Sequence, residues 1–422
     1  MLLALLSAAS SVASISPSPT VLTNHGELVG VRLASGVTRF GNLPFADAPI
    51  GSLRFARAKL ASLGVELDAT TLAPPCIQNP LGDPRDPASI AAGLGAPTED
   101  CLRLNVWAPP GAVEAAAAAD AAPLPVLVYI FGGGLCGGFA SDAYYSGAHM
   151  AAAENVIVVS VSYRIGALGF LPFDAATAGF DGGGSGGMNG IYLFHWIVLL
   201  NTSQYFILIL IMIILLLPGM HDIVVALEWI RVNIARFGGA PSGVTLFGQS
   251  SGSYAICNIC VAPKAKGLFD KAVLHSGPCF GGPPGKGWGP GNATLATQVR
   301  TSIFKTLNVS TIAELRAIKN ASSIQWPNHV MNDADAAPFF SGYFPDAFVI
   351  PTTTGLPREL WAKGAINPSA LIVSLFISFE HMTEYSSNLM IFLNDYFAGG
   401  AHVQGWHSGV LWHRTHVGKH SS

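Results

Sequence analysis

The chain has 422 residues and a mass of 44.0 kDa, enough for one large domain or two ordinary ones, either with a substantial core. Charged residues make up 11% of it, less than half the roughly 25% usual for a soluble domain, while apolar residues reach 50% and the mean hydropathy is +0.44; charge-driven disorder and a coiled coil are excluded. With 22 Lys+Arg against 25 Asp+Glu, a net charge of −3 and no basic run, nothing is available to neutralise a phosphate backbone, so nucleic acid is excluded as a partner while a membrane protein stays open.

In chain order, residues 1–13 form a short apolar run that ends in Ser11-Val12-Ala13 and is followed by Pro17 and Pro19. Small residues at a plausible cleavage site make this a signal peptide, although it has no Lys or Arg; a disordered or membrane-anchoring N-terminus is the alternative. Four Asn-x-Ser/Thr sequons, at Asn201, Asn292, Asn308 and Asn320, agree with a secreted, extracellular location. The Ala-rich 111–123 and Gly-rich 182–187 stretches read as exposed loops. Val126–Ile130, Val156–Val161 and Val244–Phe247 are short β-rich apolar runs of the kind buried on both faces of a parallel sheet. Between the second and third, a helix is expected from Asp222 as N-cap, with Ile223, Leu227, Ile230, Ile234 and Phe237 at helical spacing and Gly238-Gly239 as its stop. This βαβ rhythm predicts an α/β fold.

Residues 191–217 carry no Asp, Glu, Lys or Arg. As a helix rising about 1.5 Å per residue they would reach ~40 Å, more than a bilayer core of ~30 Å, although Asn201–Gln204 interrupts the run.

The strongest chemical signal follows the strand Val244–Phe247. Gly248-Gln249-Ser250-Ser251-Gly252 leads into the helix-compatible run 254–261, and a strand turning sharply into a helix needs small residues on both sides of the serine. Such a turn lifts the Ser250 hydroxyl out at the sheet edge as a nucleophile. Phe131-Gly132-Gly133-Gly134 follows the strand Val126–Ile130, where bare backbone can approach a developing negative charge. The N–H groups of Gly133, Gly134 and Ser251 would make a three-donor oxyanion hole. Cys257 and Cys260, on the helix after the serine, read as two buried core thiols rather than a metal or redox pair.

With these segments stand Phe40–Ala46, Gly51–Phe55, Glu99–Val106, Val161–Phe170 and Phe237–Gly239, all in one order. The set resembles the successive signatures of the type-B carboxylesterases, the cholinesterase and carboxylesterase/lipase group, over about residues 20–374. The resemblance implies an α/β-hydrolase fold, with a mostly parallel central sheet covered by helices on both faces. It further implies secretion and cleavage of carboxylic esters by a Ser–Glu(or Asp)–His triad, with no metal or organic cofactor and a small-molecule or lipid ester as substrate. It pairs Cys76 with Cys101 in a disulfide, worth about 3–4 kcal/mol on the chain-entropy account. Cys279 matches a position often disulfide-bonded to a downstream cysteine; none follows it here, so a free thiol or a broken disulfide is expected. Phe131 stands where the family commonly has His, and Gln249 where it has Glu.

Gly187–Gly190 and Met220–Asp222 resemble two halves of one family signature, separated by 191–219. The glycine loop precedes this insertion and Ser250 follows it, yet both must meet at one carbonyl, so a single membrane crossing between them is inconsistent with catalysis. The insertion reads as retained intron sequence, and no obligatory membrane span is expected. Residues 375–422 form an atypical tail. Glu380 is the nearest candidate for the triad acid, with Glu384 behind it, and a solvated surface carboxylate is an equal reading of each. His402, His407, His413, His416 and His420 crowd this tail without the family's context, and no metal site is assigned to them. The competing function is an inactive cholinesterase-like binding or adhesion module, or an inactive truncated product.

Overall fold

The computed structural model describes residues 18–24, 26–61, 67–78, 96–171, 218–276, 293–325, 371–376 and 411–415. The chain opens with β1 (Thr20–Thr23), β2 (Gly26–Val29), β3 (Val31–Arg32), β4 (Thr38–Pro44), β5 (Leu67–Asp68) and β6 (Arg103–Ala108). The central part carries α1 (Ala112–Ala118), β7 (Leu124–Ile130), α2 (Ala148–Glu154), β8 (Ile157–Val161) and α3 (Gly166–Phe170). Then come α4 (Pro218–Asn233), β9 (Gly239–Gln249), α5 (Ser251–Val261) and β10 (Lys271–His275), followed by α6 (Ala293–Leu307), α7 (Ile312–Ala317), β11 (Leu371–Phe376) and β12 (Leu411–Thr415).

Among the described residues the strands form a small sheet, β1-β2-β5, and a nine-stranded one in the order β12-β11-β10-β9-β7-β8-β6-β4-β3. Strands β8, β7, β9, β10 and β11 pair in parallel, with antiparallel strands flanking this block on both sides. Val126, Val128 and Ile130 of β7 are wholly buried on one face, while Leu127 and Tyr129 are buried on the other, as the continuous apolar run predicts. One face packs with Trp107, Val158 and Ala151 of α2, and the other packs into the main core under α4 and α5.

Strand β7 pairs with β8 on one side and β9 on the other. The chain therefore winds away from β7 in both directions, and a cleft opens at the carboxyl ends of β7 and β9. Ile130 lies in register with Gly248, so the segments leaving the two strands start at the same level of the sheet. These are the glycine loop and the serine turn.

Three sequence expectations about helices need correction. Residues 112–118 of the Ala-rich stretch are a helix, not a loop: alanine has the best helix propensity, and Ala112 and Val113 give it a buried anchor. Asp222 is not an N-cap. The helix begins at Pro218, whose missing N–H suits a first helical position, and the Asp222 carboxylate points into the core toward Arg164. At its other end the helix passes into a 3-10 turn, Ile234–Phe237, and only Gly238, in the left-handed region at φ 91°, acts as the stop, because Gly239 already begins β9.

Two buried ion pairs hold distant segments. Arg164 donates from Nε and Nη2 to Asp222 at 2.8 and 2.6 Å and from its backbone N–H at 3.0 Å, joining the segment after β8 to α4. Arg54 makes a bidentate pair with Glu99 at 2.6 and 2.7 Å. Its Nη1 also donates to the carbonyls of Leu315, Arg316 and Ile318 at the C-terminal end of α7. The expected disulfide Cys76–Cys101 is present. Cys260 is a buried free thiol as expected, but Cys257 is disulfide-bonded, with its partner outside the described residues, so the pair on α5 is not two core thiols. A cysteine on a buried helix face packs as a hydrophobe in either redox form, which is why its helical setting did not distinguish them.

Candidate active site

Strand β9 ends at Gln249 and α5 begins at Ser251, leaving Ser250 alone at the turn with φ 54° and ψ −123°. A non-glycine residue costs energy there, on the order of 1–3 kcal/mol, and persists only where its surroundings enforce it. Close packing that only glycine permits enforces it here: a methyl group on Gly252 would lie 2.1 Å from the Ile130 carbonyl oxygen, and one on Gly248 only 2.8 Å from the same atom. The Ser250 N–H donates to the His275 carbonyl at 2.9 Å, extending the β9–β10 ladder through the turn. Ser253, fully buried one turn into α5, accepts from the His275 N–H at 2.8 Å and lies 2.9 Å from its carbonyl, which staples α5 to β10. The sequence gives no sign of this role, because Ser253 and His275 are 22 residues apart.

Facing the turn is the glycine loop. A methyl on Gly132 would meet the Gln249 carbonyl oxygen at 2.5 Å, its side-chain Oε1 at 2.9 Å and Ser250 Cβ at 3.1 Å, so the loop passes directly over the serine. Gly133 and Gly134 take φ 118° and 65°. Among the described residues neither of their N–H groups has an acceptor, and Ser251, as the first residue of α5, has no intrahelical partner for its own. These are the three donors the sequence nominates. The N-terminus of α5 adds its partial positive charge beneath them.

The loop is held from behind by residues that sequence reasoning did not select. Phe131, where the family has His, stacks on Tyr163 with ring centroids 4.4 Å apart, and the Tyr163 hydroxyl donates to the Phe131 carbonyl at 2.7 Å. Burial raises the Tyr163 pKa, so the phenol stays a donor. Gln78 brackets Gly138, accepting from its N–H at 3.0 Å and donating to its carbonyl at 3.2 Å. Their partners lie 32 and 60 residues away, beyond any local pattern.

Strand β11 pairs with β10 in parallel, Lys271 opposite Leu371, and ends four residues before Glu380. Glu380 and Glu384 lie outside the described residues, as do residues 1–13, Cys279, 191–217 and every tail histidine except His413, which sits in β12 opposite Ser374. Near the serine turn, His275 is half-buried, its Nε2 has no hydrogen-bond partner among the described residues, and burial lowers its pKa. Among the described residues no cluster of three metal-ligating side chains occurs, and no helix is long and apolar enough to cross a membrane.

The strand order, the switch point between β7 and β9, and the serine turn above it define an α/β-hydrolase fold. A profile described as the carboxylesterase family matches residues 17–180 and 218–283, and the chain belongs to that family. It is 32% identical over 259 residues to a para-nitrobenzyl esterase of Bacillus subtilis (strain 168), covering 61% of this chain and 43% of that protein. To a cocaine esterase of Oryctolagus cuniculus it is 34% identical over 275 residues, covering 62% and 42%. Among solved structures, a thermophilic PNB esterase superposes with a TM-score of 0.63 at 26% identity, over 85% of this chain and 62% of that one. A second PNB esterase gives the same score and identity over 85% and 63%. The chain thus spans less than half the length of the curated relatives it matches.

Proposed function

We propose that the protein is a secreted serine hydrolase that cleaves carboxylic esters through an acyl-enzyme on Ser250. The observation that carries this reading is the left-handed Ser250 at the β9–α5 turn, with Gly132 packed against it and three N–H groups nearby that have no acceptor among the described residues. In this reading Ser250 Oγ attacks the ester carbonyl, and a histidine base takes its proton. The carbonyl oxygen becomes an oxyanion held by the N–H groups of Gly133, Gly134 and Ser251. Collapse expels the alcohol, and water releases the acid. Glu380, four residues past the end of β11, is the proposed acid of the triad. Small-molecule esters are the substrate class favoured by the relatives, whose names state a para-nitrobenzyl and a cocaine esterase.

A fluorophosphonate probe tests the reaction. Labelling of the wild type that Ser250→Ala abolishes is the expected result; labelling that persists in S250A, or none in either, overturns it and favours a binding module.

Secretion is supported by the two sequons among the described residues, since Asn308 and Asn320 are both exposed. A mass decrease on glycosidase treatment of the secreted protein is expected.

The apolar insertion is proposed to be retained intron sequence. The family match stops at 180 and resumes at 218, and a methyl on Gly219 would lie 2.4 Å from the Arg164 carbonyl oxygen and 2.5 Å from the Phe170 ring. Gly219 is thus packed into the esterase body. Because Gly190 and Gly219 are interchangeable at the junction, removing 190–218 or 191–219 leaves the same sequence, Asn189-Gly-Met220. A transcript that carries the codons for 191–217 in every spliced form would refute this.

A further inference from the structure

The three proposed oxyanion donors need fixed directions, and two of them belong to a glycine loop with little intrinsic stiffness. Two side chains restrain it. Ser251 Oγ, completely buried, accepts the Leu135 N–H at 3.2 Å and so ties the loop to the first residue after the nucleophile. Cys136 Sγ lies 3.3 Å from the Gly133 carbonyl oxygen, which also accepts from the N–H groups of Cys136 at 3.2 Å and Gly137 at 3.0 Å. Burial pushes the Cys136 pKa up to about 12, so the sulfur keeps its proton and can donate.

In a trans peptide the C=O of one residue and the N–H of the next point in opposite directions. Three donors on the Gly133 carbonyl therefore fix the direction of the Gly134 N–H, away from Cys136. The very next peptide, Gly134–Leu135, is pinned by the Leu135 N–H on Ser251 Oγ. Leu135 itself takes φ 59°, a left-handed conformation that a leucine adopts only under such constraint.

We propose that the hydroxyl of Ser251 and the thiol of Cys136 act as a two-point clamp that orients the Gly133–Gly134 peptide toward the oxyanion. The inference rests on the ester-cleaving function proposed above and extends it from backbone donors to two side chains that do not touch substrate. They are positioning residues. Ser251 thereby has two separable roles, since its N–H faces the oxyanion while its Oγ faces the loop.

Loss of one oxyanion donor costs about 10²–10³ in rate, and a misdirected donor loses part of that. Steady-state hydrolysis of para-nitrophenyl acetate by the full-length protein reads the effect. Ser251→Ala retains the N–H and removes only the acceptor, and an about 5- to 30-fold fall in kcat with KM within twofold is expected. Cys136→Ala should fall similarly, and Cys136→Ser, which restores a donor, should recover most of the loss. A purely packing role would instead let C136A perform as well as C136S. The clamp is overturned if S251A and C136A keep kcat within twofold, or if KM alone changes. Absence of turnover in the wild type defeats the functional reading and not the clamp. Amide hydrogen exchange at Leu135 then decides: faster exchange in S251A than in wild type supports the restraint, and equal exchange refutes it.

Discussion

Substitution of Asp222 tests how the two parts of the chain on either side of residues 172–217 are joined. Arg164 is 4% exposed at its side chain and Asp222 0%, and three hydrogen bonds connect them. Asp222→Ala leaves the guanidinium buried without its counter-charge, a loss expected at about 3–5 kcal/mol. That is a large share of a total stability of about 5–15 kcal/mol. With a urea slope of about 3 kcal/mol/M, the unfolding midpoint falls by about 1–1.7 M. Trp229, buried on the same helix, reports the transition by fluorescence. The double variant Arg164→Met/Asp222→Leu removes both charges from the apolar core and should recover most of the loss, because desolvating the pair costs nearly as much as the pair returns. A shift in D222A equivalent to less than about 1 kcal/mol, or a double variant as unstable as D222A, would refute this account.

Gly132→Ala places a methyl 2.5 Å from the Gln249 carbonyl oxygen, so the loop must move off the serine; esterase activity should fall at least about 100-fold while the thermal midpoint changes little. His221 is almost fully buried on α4, and desolvation, followed by the charges of Lys264, Arg57 and Arg164, lowers its pKa to about 3. Its stabilising contribution is complete above the unfolded value near 6.5 and is lost as the pH falls from there toward 3, by about 1.4 kcal/mol per unit. Thermal midpoints between pH 7 and 5 should therefore drop less steeply in His221→Gln than in the wild type. Reducing the Cys76–Cys101 bond, which closes a separation of 25 residues, should cost about 3.5 kcal/mol, measured by denaturation with and without reductant in Cys257→Ala.

The strands and the serine turn were legible because their causes are local. A run such as Val126–Ile130 is buried on both faces and has no charged residue to place, and the close packing around Ser250 admits only glycines at 248 and 252. Ala112–Ala118 was misread because composition alone does not separate a low-complexity loop from a short helix; one buried valine next to Ala112 decides it. Asp222 was misplaced because a capping pattern and a buried counter-ion look alike until Arg164, 58 residues earlier, is beside it. Distance in sequence also hid Tyr163, Gln78 and Ser253, whose partners lie 32, 60 and 22 residues away on other segments.

The contact between Arg54 and the end of α7 bears on how the chain is made. Its acceptors, the carbonyls of Leu315, Arg316 and Ile318, leave the ribosome 261–264 residues after Arg54 itself. At about 5–20 residues per second, the delay is roughly 13–50 s. Glu99 arrives much sooner and satisfies Nε and Nη2, whereas the protein acceptors of Nη1 among the described residues come with α7. The native hydrogen bonds of Arg54 are therefore complete only once residue 318 has been made, long after the strands around Arg54.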